Sequence, residues 1–155
     1  MNVGLIFGII FAAIVIGFLL MFGMGSVTDL FNISGNAQLG QQVVNLQSKV
    51  ESTFNLAYGS VQEFKFVLPS GVKKICFVDP DNPFSNPDGS WESNKFLDAY
   101  ISRYSYNLLI FKGDDLPEGY VIKKLKPNQN FCMTKTRKIT LKNLGSVVEV
   151  TLPEF

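Results

Sequence analysis

The residues with the most definite chemistry are two cysteines, Cys76 and Cys132, and no histidine accompanies them. Both lie in runs with β character, KKICFVD and QNFCMTK. Two thiols in an exported domain read as one disulfide and place that domain in an oxidising compartment. The bridge would close a loop of about 57 residues and contribute roughly 4 kcal/mol by the chain-entropy argument. The alternative is a pair of buried free thiols. The lack of histidine removes the commonest general base and metal ligand, and with them any Ser-His or Cys-His nucleophile pair. Asp79, Asp81 and Asp88 in DPDNPFSNPDG superficially resemble a calcium loop. Pro83 stands where an EF-hand needs its third ligand, which leaves a looser carboxylate site or a solvated turn. Asp114, Asp115 and Glu118 sit in a turn and read as solvated charges, and no glycine-rich phosphate loop follows a strand. The expectation is no catalytic residue, no metal and no cofactor: not an enzyme.

The element that must position this domain is the stretch Val3 to Met24, 22 residues with no charged, polar or proline residue. As a helix it would be roughly 33 Å long, close to the thickness of a bilayer's hydrocarbon core. Its length and uncharged start argue against a signal peptide, the alternative being cleavage at Gly23-Met24-Gly25-Ser26. A transmembrane helix is therefore expected over 3–24. Gly4, Gly8 and Ala12 recur every fourth residue, and Ala13 and Gly17 repeat the spacing. Small residues at that interval let helices approach closely, so these five positions are the expected helix-packing and polymerisation sites. Phe7, Phe11, Phe18 and Phe22 make the bulky counterpart.

Net charge is +1, from 14 basic and 13 acidic residues, which is no nucleic-acid footprint. All the basic residues lie between Lys49 and Lys142. A membrane helix without flanking Lys or Arg is unusual, and the reading preferred here is a basic leader that preceded Met1 and was removed. Asn32-Ile33-Ser34 is an N-x-S pattern, so Asn32 is a candidate glycosylation site.

Downstream, 36–58 carries Leu39, Val43, Leu46, Val50, Phe54 and Ala57 at helical steps, with Gly59 as the stop signal. Period two follows in 60–68, and Pro69-Ser70-Gly71 would turn it into a hairpin with 72–78. The segment 79–91 holds three prolines and reads as a surface loop. Its Phe84 and Trp91 either contact a partner or fold back on the domain. A short helix over 93–104, with Ser93 or Asn94 as cap, precedes strands at 107–112, 120–125, 130–134, 138–142 and 147–152. The expected fold class is α+β: a long N-terminal hydrophobic helix with an amphipathic continuation, then a small antiparallel β-rich head, sandwich or partly open barrel. The expected division is 1–58 and 59–155.

This layout resembles the archaeal type IV pilin-like and archaellin-like surface proteins. The stretches that carry the resemblance are VGLIFGIIFAAIVIGF, KKICFVD and the closing KITLKNLGSVVEVTL. The fifth position is Leu5 rather than the Glu of bacterial type IV pilins, and archaeal relatives commonly lack that Glu. The resemblance implies a precursor held in the membrane by its helix and a short basic leader cut away by a membrane peptidase. Subunits would then bundle their helices into a filament core with the heads outside. The expectation is a structural subunit of an extracellular filament, used for adhesion or surface attachment. Its partners would be copies of itself in a helical homopolymer, the membrane before assembly and an unidentified surface receptor, with no nucleic acid. The alternative is a single-pass, membrane-anchored binding or envelope protein.

Overall fold

The computed structural model describes residues 3–85, 89–92, 94–113 and 115–153, with side chains at 3–7 and 19–36 outside the description. The chain forms two compact units, Met1–Ala37 and Gln38–Phe155. Helix α1 is Val3–Phe54, and its residues from 38 onward belong to the second unit.

In the first unit the described side chains are 8–18 and Ala37, all exposed. The expected long hydrophobic helix and its membrane crossing are corrected here. Among the described residues no helix is long and apolar enough to cross a membrane.

The second unit is built by two periodicities. In 38–54 of α1, Leu39, Val43, Leu46 and Val50 fall on one side at helical spacing and are buried. The strands β1 (Val61–Phe66), β2 (Lys74–Phe77), β3 (Leu108–Phe111), β4 (Glu118–Tyr120), β5 (Leu125–Pro127), β6 (Phe131–Met133), β7 (Arg137–Asn143) and β8 (Val148–Thr151) follow the shorter period. They form two four-stranded sheets, β1-β7-β8-β5 and β4-β3-β2-β6. In β7, Ile139 and Leu141 face inward while Lys138 and Lys142 face out. The principal core joins the helix stripe to the inner face of the first sheet and to Ile75, Phe77, Leu108 and Ile110 of the second. The intervening residues Cys76 and Leu109, followed by Val78, point the other way. There they meet Trp91 together with Leu97 and Ile101 of helix α2 (Lys95–Tyr104). Asn94 caps that helix, accepting from the Leu97 N–H at 2.8 Å. The second sheet is thus buried on both faces, which is why LLIF and KICF show no polar alternation.

The sheets differ from the expected antiparallel head in several ways. There are eight strands among the described residues rather than seven, and β5 pairs with β8 in parallel. Segment 120–125 is not one strand: Lys124 takes a left-handed φ of 64°, and the chain turns between β4 and β5. The expected hairpin of 60–68 with 72–78 does not form either. β1 pairs with β7, and β2 with β3 and β6. The turn at Pro69–Gly71 carries the chain from one sheet to the other, helped by the positive φ of Gly71.

Asn143, from β7, serves the end of α1. Its buried amide donates to the carbonyls of Phe54, the last helical residue, and of Leu56 just beyond it, at 2.9 and 2.8 Å. Gln42 performs a similar task along the sheet. Its side-chain amide both donates to and accepts from the backbone of Val67, at 2.7 and 2.6 Å, as a neighbouring strand would.

Candidate functional site

Two places carry functional weight: the disulfide and the exposed apolar surface. Cys76 on β2 stands directly opposite Cys132 on β6, and their sulfurs are bonded, with Cα atoms 4.0 Å apart. The expected pairing is therefore present. It fastens the edge strand β6 to the centre of its sheet, and the Ser90 hydroxyl accepts from the Cys132 backbone N–H on the same strand.

The predicted packing residues fall in the first unit. Gly4 and Asn32 lie outside the described side chains. Gly8 and Gly17 face open space, with nothing within 4 Å of where a Cβ would stand. Ala12 and Ala13 are exposed. At about 100° per residue, Gly8 and Ala12 share one face, whereas Ala13 and Gly17 lie round the helix on another. Seven large side chains, Ile9, Ile10, Phe11, Ile14, Val15, Ile16 and Phe18, are between 39% and 70% exposed. No direction around this segment is polar.

Two acidic residues of the proline-rich loop, Asp79 and Asp81, form ion pairs. The Lys126 ammonium lies 3.0 Å from Asp79 and 3.5 Å from Asp81. Its hydrogen bond to Asp79, and the charge of that carboxylate, hold this lysine above its usual range. Asp88, Ser93 and Asp114 lie outside the described residues. Among the described residues no group of three or more His, Cys, Asp or Glu is placed to hold a metal. Trp91 folds back: it is fully buried, and its indole N–H donates to the Pro83 carbonyl at 2.7 Å. Phe84 is 67% exposed.

Several features have no clear signal in a single sequence. On the second unit, Val43, Val44, Tyr120, Val121 and Ile122 line a shallow groove of about 380 Å³. Its apolar residues come from segments far apart in the chain, so only the helix side was legible, as the outer edge of an amphipathic stripe. Asp98 sits in the first turn of α2, where solvated acids are common. Here it is buried, its Oδ1 has no hydrogen-bond partner among the described residues, and burial pushes its carboxyl above the usual range. Tyr100, Tyr104 and Tyr106 form a triangle of rings 5.1–5.4 Å apart. Burial, then contact with Tyr106, raises the Tyr100 phenol. These groups organise α2 and offer no nucleophile with a base beside it.

Comparison with known protein families, with curated proteins and with solved structures finds no match.

Proposed function

We propose that this chain is a structural subunit of a cell-surface filament, assembling with copies of itself through segment 8–18 and displaying the disulfide-bonded unit for surface attachment. The observation that carries this reading is the seven exposed large apolar side chains on a helical stretch with no polar face. A helix apolar all round is a buried helix in its working state. Covering these side chains gains roughly 1–2 kcal/mol each, on the order of 10 kcal/mol in all before association costs. Like segments supply that cover, and the bare face at Gly8 and Ala12 lets backbones come close. The cystine supports a location outside the reducing cytosol.

The test is to shear cells that make the protein, without detergent, and to image the released fraction. Fibres containing this chain are expected. Protein that stays with the cells until detergent is added would defeat the filament reading in favour of an anchored one. Within the expected outcome, Gly8→Leu should cut the fibre yield about tenfold while leaving the Cys76–Cys132 unit folded, since a Cβ at Gly8 meets nothing within 4 Å.

A further inference from the structure

Resting on the reading of this chain as an attachment subunit, we infer that its second unit carries a binding pocket for a neutral carbohydrate. Asn128, Gln129, Thr140, Thr151, Leu152 and Pro153 line it, over the ring of Phe131. Its volume is about 430 Å³, within the roughly 300–1,000 Å³ usual for small-ligand sites.

The fold fixes these walls in place. Thr140 of β7 and Thr151 of β8 stand opposite each other in the first sheet. Both are half-buried, while Ile139, Leu141 and Val150 beside them are in the core, so the two hydroxyls lie on the outer face. Asn128 is tied to the same sheet by its backbone N–H, which donates to the Val150 carbonyl at 3.2 Å. Gln129 lies between Asn128 and the pinned Asn130. Phe131 is fully buried and stacks on Phe77 with ring centres 5.1 Å apart, which makes a firm floor. The backbone of the site is thus built before a ligand arrives.

The chemistry of the walls selects the ligand. Two amides and two hydroxyls line the pocket, and no ionisable side chain does. A phosphate, carboxylate or ammonium would lose hydration there and meet no opposite charge. The four polar side chains make no hydrogen bond to another described residue. Elsewhere in this unit Gln42, Asn107, Asn130 and Asn143 all bond the protein's own backbone. Asn128 and Gln129 are open to an outside partner, each with two donors and an acceptor, and each threonine hydroxyl both donates and accepts. An apolar occupant would strip water from these groups and leave them unpaired. A sugar replaces that water group for group. Its hydroxyls donate and accept from adjacent carbons, while its C–H face rests on Leu152 and Pro153.

The experiment presents full-length protein to an array of immobilised oligosaccharides. Neutral chains of glucose, galactose, mannose and N-acetylhexosamine stand beside sialylated and sulfated ones. Retention on neutral chains is expected. Gln129→Ala and Thr140→Val are then compared with the unaltered protein, with circular dichroism to follow folding. Gln129 is exposed, and valine keeps the β-branched shape of Thr140 in its strand, so both variants should fold. Each should weaken retention by about three- to tenfold. Thr134→Val, in a different pocket, should bind as the unaltered protein does. Retention of no neutral chain, retention that needs a sialyl or sulfate group, or undiminished retention by both variants overturns the pocket assignment. Fibre yield is scored separately. Fibres that hold no neutral sugar leave the filament reading intact, whereas sugar held by a chain that forms no fibres overturns that reading and not the pocket.

Discussion

Asn107, Asn130 and Asn143 are buried amides that hold the second unit together where regular structure stops. Asn107 donates to the Ile122 and Leu125 carbonyls and accepts from the Ile122 N–H, all at 2.8 Å. Asn130 accepts from the Asp79 N–H at 2.7 Å and donates to the Asn82 carbonyl at 3.0 Å, pinning the proline-rich loop. Asn143 joins the end of α1 to the β7–β8 turn, where its Oδ1 also accepts from the Gly145 N–H. Asn143→Ala removes the hydrogen bonds to Phe54, at the end of α1, and to Leu56 just beyond it, so we expect a loss of about 1–3 kcal/mol in urea unfolding. Only the contact of Asn143 with Gly145, two positions on, was legible, as the turn Asn143-Leu144-Gly145; the other partners of the three amides, 15 to 89 positions away, are fixed only when the sheets assemble. Asp98 gives a pH prediction. Its folded-state pKa lies above the ordinary 3.8, so the stability it contributes is present below that value and is lost as pH rises through the folded one. Burial disfavours the ionised form of this carboxyl, whose Oδ1 has no hydrogen-bond partner among the described residues. Asp98→Asn should therefore raise stability at neutral pH, with the gain shrinking as pH falls toward 3.8. Thermal melts of both proteins from acid to neutral pH measure this, and an unchanged or lower melting temperature for Asp98→Asn at neutral pH would refute the assignment.

At the scale of elements, local pattern was a good guide to which segments become strands and a poor guide to which strands pair. Alternation marked β1, β7 and β8 within a residue or two, because each has one face in the core. The hairpin expected across Pro69–Gly71 failed because both candidate strands find better partners elsewhere, β1 against β7 and β2 between β3 and β6. Pairing across sheets leaves no mark in a short window. The cystine was legible from composition, and its position explains its use: it joins a three-residue edge strand that has few ladder bonds of its own. Replacing both cysteines by serine should cost about 2–5 kcal/mol and raise amide exchange first at Phe131–Met133. Gly119 makes a second element-scale test. A Cβ there would run into the Tyr106 ring, which lies against the β4 backbone. Gly119→Ala should cost about 1–3 kcal/mol by overpacking and separate Tyr106 from Tyr100 and Tyr104, visible as a change in near-UV circular dichroism.

For the whole molecule, the decisive asymmetry is between a unit with a buried apolar core and one whose described side chains are all exposed. Val43 and Leu46 are covered by sheets from their own chain, whereas Ile10 and Phe11 meet solvent. The sequence marked this contrast clearly, since no charge falls in 8–18 and every Lys and Arg stands at Lys49 or later. The membrane-crossing helix it suggested is corrected: among the described residues no helix is long and apolar enough to cross a membrane. It was silent on the groove, which exists only once 43–51 and 120–122 are brought together. The central claim is that segment 8–18 obliges copies to associate, and sedimentation velocity of the full chain in detergent-free buffer tests it most directly. Species far above the 17.3 kDa of one chain, shifting to smaller ones with Ile10→Asp, are the expected result; a stable monomer for the unaltered chain contradicts it.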